Sequence, residues 1–278
     1  MARAAKHARS GKRGTGWLAV AAAAAAAAPL AIGSGVVPSA AAAAPQFPYL
    51  PEPARVLTLA LLPGGNDDDM QGVVCDGGRS CVAVPYPYLF RDVGVTDLNN
   101  ALNSPLPNPE QPQQIVFGYS QGARIAGEWI EKYGTTEGAL SPENVSFVLI
   151  GNPNRKHGGA NLGWGQATPD SEYKVLDVAR QYDLAVDFPD NPLNLLALAN
   201  AYAGFSFIHP NYEDVDLYSP DNYVWNEGNT TYVFIPTKNI PLLMPLRWFG
   251  LGALADALNE PLKAMICLLY TSPSPRDS

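Results

Sequence analysis

The chain has 278 residues, 47% hydrophobic and 16% charged, with 18 Lys+Arg against 26 Asp+Glu for a formal charge of −8. Five of the basic residues fall within the first 13 positions, so everything after them is more acidic still. That balance excludes nucleic acid and anionic headgroups as the main partner.

Arg3, Lys6, Arg9, Lys12 and Arg13 precede an Ala-rich apolar stretch from Trp17 to Ile32 and several A-x-A sites before Pro45. This is the plan of a secretory signal peptide over residues 1–44, and secretion or retention in the cell envelope is expected. Without it, 13 basic residues face 26 acidic ones, a formal charge of −13. Residues 45–266 are long enough for one large domain. Cys267 to Ser278 breaks the helical pattern before it and is read as a non-native tail, with the C-terminal end of the domain cut short.

Val56–Leu62 is a near-continuous apolar run that ends in Pro63-Gly64-Gly65, a first strand and its loop. Asp67-Asp68-Asp69 lacks the spaced ligands of a calcium loop and reads as a solvated acidic turn. Cys75 and Cys81 flank the turn sequence Asp76-Gly77-Gly78. In an exported chain this spacing predicts a local disulfide. No further His or Cys lies close enough in sequence for a metal site, and neither metal nor cofactor is expected. Cys81–Val84 is a second strand, and the Pro-rich stretch 103–112 is a solvent loop.

Ile115-Val116-Phe117 forms a third strand and leads into Gly118-Tyr119-Ser120-Gln121-Gly122, a G-x-S-x-G pentapeptide. Behind it Ile125, Ala126, Trp129, Ile130 and Tyr133 share one helical face, and Gly134 supplies a stop. Strand, sharp turn and helix are the setting of a nucleophile elbow, with Ser120 as its nucleophile. Val145–Ile150 and Tyr173–Val178 are further strands. Residues 222–225 and 230–235 read as a late hairpin. Runs apolar on both faces predict an α/β fold with a mostly parallel sheet covered by helices.

A serine hydroxyl needs an imidazole to take its proton, and that imidazole needs a carboxylate to hold its tautomer. Of three histidines, His7 belongs to the leader, which leaves His157 and His209. The chain order Ser, acid, His favours His209, because Asp183 and Asp187 follow the fifth strand whereas the acids before His157 follow none. Asp183, nearer the strand end, is the expected acid, with Asp187 the rival. The backbone N–H of Gln121 is the expected first oxyanion donor, and Gly65, in the loop after the first strand, the second.

These segments resemble the mycobacterial PE-PPE domain, a cutinase-like α/β serine hydrolase family. The resemblance rests on GYSQGARIAGEW, on GNPNR with the Gly158-Gly159 pair, on the stretch from Tyr182 to Gly204, on His209 and on IPLLMPLRWFG from Ile240 to Gly250. It covers roughly residues 55–266. It implies an α/β-hydrolase fold and a Ser-Asp-His triad falling on Ser120, Asp183 and His209. It also implies esterase activity on acyl esters, with some members acting as acyltransferases on cell-envelope glycolipids. Two departures stand out. A leader takes the place of a PE or PPE helical region, and Pro-Gly-Gly-Asn stands where a Gly-Gly-Thr-Gly type loop is expected.

The nearly uncharged stretches 192–208 and 240–248 fit either core helices or the wall of an apolar acyl cleft. The expected substrate is an acyl ester or glycolipid, with peripheral association with the envelope. A sugar hydroxyl in place of water would make the protein an acyltransferase. A catalytically silent lipid-binding protein of the same fold is the rival from another class.

Overall fold

A computed structural model describes residues 50–62 and 64–267. The leader and nearly all of the tail read from the sequence lie outside them. The centre is a seven-stranded sheet in the order β2-β1-β3-β4-β5-β7-β6. Its strands are β1 (Ala54–Leu59), β2 (Arg79–Ala83), β3 (Gln114–Tyr119), β4 (Val145–Ile150), β5 (Lys174–Arg180), β6 (Tyr223–Glu227) and β7 (Thr230–Ile235). Every neighbouring pair is parallel except β6–β7, the antiparallel hairpin at one edge.

The expected strands are present, with shifted ends. The first stops at Leu59, three residues short of its apolar run, and Leu61 and Leu62 are exposed. In the hairpin Asn226 and Glu227 belong to β6, so the turn narrows to Gly228-Asn229, with Gly228 at φ +56°.

Alternation along the strands divides the core in two. Leu57, Leu59, Val116, Phe147 and Leu149 face helices α1 (Arg91–Leu102) and α2 (Gln121–Tyr133), which bring Val95, Leu98, Ile125 and Trp129. Val56, Ile115, Phe117, Val148 and Val178 face the other way, against Met70, Val74, Tyr212, Val215 and Leu217. These come from connecting segments, so one sheet face is covered by helices and the other largely by loops that reach toward the strand ends. A separate cluster joins α3 (Leu195–Phe207) to the segment Ile240–Leu243 and to α5 (Gly252–Cys267), with α4 (Met244–Trp248) between them.

Chain direction creates the site. From β1 the chain moves outward to β2, then returns to build β3 on the other side of β1. The loops leaving β1 and β3 therefore part in opposite directions and open a crevice at the carboxyl ends of the strands, where ligands bind in open α/β sheets.

Candidate active site

Ser120 sits between β3 and α2 at φ 55° and ψ −108°, a backbone conformation costly for a non-glycine residue. Its N–H still donates to the Ile150 carbonyl at 2.9 Å, so the elbow remains tied to β4 while its side chain is partly exposed. Both glycines of the pentapeptide are required sterically. A Cβ on Gly118 would lie 2.7 Å from the Ala123 nitrogen across the turn, and one on Gly122 would lie 2.0 Å from the Leu59 carbonyl oxygen of β1.

The three residues read from the sequence meet here. His209 Nε2 lies 2.9 Å from Ser120 Oγ, and His209 Nδ1 lies 2.8 and 3.0 Å from the two Asp183 oxygens. Burial is graded along this line: Asp183 is fully buried, His209 is 7% exposed and Ser120 is partly open. The buried carboxylate is compensated by donors. Besides His209 it accepts from the Ala185 N–H at 3.0 Å and from the Tyr212 hydroxyl at 3.1 Å. Burial first, and then the Asp183 charge, push Tyr212 well above the ordinary tyrosine pKa, so its hydroxyl stays protonated and donates.

Asp187 has a different task. Its Oδ2 accepts the Tyr182 N–H at 2.7 Å and braces a residue held at φ 70°. Helix α3 then packs so closely on that corner that a Cβ on Gly204 would fall 1.8 Å from the Tyr182 carbonyl oxygen. The His209 N–H closes onto Gly204 O at 3.0 Å, so the imidazole is delivered by the end of a helix docked on the acid's own loop.

Four further residues hold the imidazole. The Tyr119 hydroxyl donates to the His209 carbonyl, and its ring lies 5.3 Å from the imidazole. Burial, followed by the charges of Asp183 and Asp69, raises the Tyr119 pKa and keeps that donor protonated. Phe205 stacks on the imidazole at 4.8 Å and 18°. Gly151, at φ +57°, leaves room beneath it, since a Cβ there would stand 2.9 Å from His209 Cε1. Tyr212 completes the set through Asp183. Tyr119 and Gly151 fall inside the segments GYSQGARIAGEW and GNPNR, and Phe205 inside the uncharged stretch 192–208, none of which carried a sign of this role, whereas Tyr212 lies outside every segment singled out in the sequence.

His157 lies elsewhere. It is 2.7 Å from Glu227 and edge-on to Tyr232, beside the buried pair of Arg155 and Asp177 at 2.5 Å.

The loop after β1 departs from expectation twice. The Gly65 N–H donates to Leu62 O at 2.8 Å, which closes a turn, so Gly65 does not offer the second oxyanion donor assigned to it. Gln121, by contrast, opens α2, where backbone N–H groups have no acceptor within the helix. The acidic triplet is solvated only in part, with Asp68 exposed and Asp67 half-buried. Asp69 is 5% exposed beside residues Met70 and Gln71 in left-handed conformations, and burial, with Glu213 and Asp68 nearby, pushes its carboxyl up to about 7. Asn66 is buried as well and donates to Phe117 O at 3.1 Å, which anchors this loop beside the elbow. Cys75 and Cys81 are joined in a disulfide that ties the same loop to β2.

A mostly parallel sheet with helices, crossed by a strained serine elbow at its switch point, defines the α/β-hydrolase class of fold. Within that class the chain belongs to the PE-PPE domain family, whose model matches residues 92–271. Esterase PE16 of Mycobacterium tuberculosis is 34% identical over 181 residues, covering 56% of this chain and 33% of that protein. Diacyltrehalose acyltransferase Chp2 of the same organism is 29% identical over 203 residues, covering 64% of this chain and 56% of its own length. The chain thus spans between a third and a little over half of these two curated relatives. Among solved structures, a cutinase-like protein from Cryptococcus sp. is 22% identical, with 48% of this chain and 78% of that one covered at a TM-score of 0.38. Ser120, Asp183 and His209 all fall inside the family match, whereas β1, β2, the disulfide and Asp69 precede it.

Proposed function

We propose that this protein is an exported serine hydrolase that cleaves acyl esters through an acyl-enzyme. The carrying observation is the unbroken line from the buried Asp183 through His209 to Ser120 Oγ on a strained elbow. Ser120 Oγ attacks the ester carbonyl while His209 Nε2 takes its proton. Asp183 holds the Nδ1–H tautomer and stabilises the imidazolium. The Gln121 N–H, at the positive end of α2, faces the developing oxyanion. The tetrahedral intermediate then collapses, and the leaving alkoxide departs with the proton from His209. A second nucleophile, activated by His209 in turn, releases the acyl group and restores Ser120.

Water as that nucleophile gives an esterase. A sugar hydroxyl gives an acyltransferase, a reading favoured by the similarity to a diacyltrehalose acyltransferase and to the SL1278 acyltransferase Chp1. The leader-like start and the Cys75–Cys81 disulfide support export to an oxidising compartment. The test is labelling with a fluorophosphonate probe, followed by mass spectrometry of the tagged peptide. The tag is expected on Ser120, and Ser120→Ala should lose both label and p-nitrophenyl ester hydrolysis with an unchanged circular dichroism spectrum. A folded wild-type protein that takes no label would instead be a silent lipid-binding relative, and activity retained in the variant would move the nucleophile elsewhere.

A further inference from the structure

Helix α3 contains no charged residue along Leu195–Phe207, yet only one of its faces is packed. Ala197, Asn200, Ala201 and Gly204 are buried, while Leu195 is 76% exposed and Tyr202 and Phe205 share its outward stripe. A helix face turned to bulk water is ordinarily polar. The apolar surface also continues beyond α3. Phe205 begins it on the His209 ring, and Phe207 meets Trp248 edge-on at 4.7 Å. Trp248 and Phe249 then stand 66% and 82% exposed.

The opposite side of the elbow is similar. The Gln121 side chain donates to the Tyr88 carbonyl, which fixes the segment carrying Leu89 and Phe90 beside α2, and Leu89 is 84% exposed. Leu61 and Leu62, 63% and 70% exposed, lie just past the strand end paired with Gly118. Large apolar side chains from four separate connections are therefore exposed at the carboxyl ends of the strands, the end that carries Ser120. Soluble monomers seldom expose large apolar patches without a use for them.

Charge identifies the occupant. Arg247, the basic residue of α4, is paired with Asp256 at 2.7 Å, and α3 contributes no charge at all. The chain as a whole is acidic, at −8. Such a surface has nothing to attract anionic headgroups and everything to gain from burying apolar and aromatic tips among uncharged ones. We infer that this crest seats the protein on a neutral lipid surface, with the mouth of the Ser120 site facing the lipid. The orientation rests on the reading of Ser120 as the reacting group, whereas the binding itself does not.

The test is flotation with phosphatidylcholine vesicles and with vesicles containing phosphatidylglycerol, carried out on the wild type and on Ser120→Ala. Both proteins should float with neutral vesicles, and anionic lipid should bring no gain. The pair of substitutions Trp248→Asp and Phe249→Asp should cut the partition at least tenfold while leaving p-nitrophenyl acetate hydrolysis and circular dichroism unchanged. Binding by a wild type that proves inactive would sustain the inference while sinking the hydrolase reading. The inference is overturned by failure to float with neutral vesicles or by binding that requires anionic lipid. Unchanged binding in the double variant overturns it too, as does a dimer in solution that this variant disperses.

Discussion

Asp183 and Asp187 are four residues apart on one loop and both are buried, but their hydrogen bonds assign them different work. Asp183 meets His209 Nδ1, Tyr212 and the Ala185 N–H, whereas Asp187 accepts from the Tyr182 backbone. An amide at 183 cannot hold the imidazole in the required tautomer. Asp183→Asn should therefore lower kcat by about 10⁴-fold with the fold intact. An amide at 187 can still accept the Tyr182 N–H through its oxygen. Asp187→Asn should cost activity tenfold at most, roughly the worth of one hydrogen bond. Kinetics of the two variants on one soluble ester decide the matter, and the reverse ranking would reassign the acid.

The loop between β1 and β2 is the element that departs most from its sequence appearance. Its Met70 and Gln71 N–H groups donate to the carbonyls of Tyr212 and Glu213 at 2.8 Å each. That docking buries Asp69 where its carboxyl titrates at about 7 instead of near 3.8. The folded state then binds a proton more readily than the unfolded chain does. Stability from this group is full at low pH and is lost as pH rises from about 4 toward 7. Asp69→Asn removes a group whose ionisation the fold penalises progressively across that window. The thermal midpoint of the variant should lie nearest the wild type below about pH 4, and its advantage should grow by about 3 °C or more by pH 8. An equal difference at both pH values would mean that the effect is packing rather than ionisation.

Across the whole molecule, chemistry and apolar surface occupy the same end of the sheet. The opposite end has an open cleft of about 860 Å³ lined by Pro53, Gln113, Ser146, Lys174 and Thr231, among others, remote from Ser120 at the far ends of the strands. Of the two alternatives its composition left open, the 192–208 segment is core on one face only. One face of α3 is core with Ile240 and Leu243, and the other lies open next to His209. If acyl chains lie along that open face, each buried methylene contributes up to about 0.8 kcal/mol, and the gain ends where the apolar surface ends. The ratio kcat/KM should rise from acetyl to medium-chain p-nitrophenyl esters and then fall. A profile flat or steepest for acetate would reduce the exposed face to a lipid-seating role.

The elements and their class were readable in the residues because strand and helix patterns are local. An apolar run buried on both faces, a 3.6-residue stripe behind Ser120 and paired strand runs late in the chain each depend on neighbours a few positions away. The Ser, Asp, His order narrowed the site for the same reason, since it counts along the chain. What remained depended on residues far apart in sequence. Which of Asp183 and Asp187 meets the imidazole depends on where α3 docks, and Tyr119 and Tyr212 reach His209 and Asp183 only when the ends of β3 and the segment after His209 meet. Gly65 lost its assigned role because its N–H closed a turn onto Leu62, and Asp69 became buried because a segment more than 140 residues later packs over it. Periodicity records which face of an element is buried. It does not record which partner arrives there, and in this protein the partner decides whether a buried polar group is compensated, strained or set beside the serine.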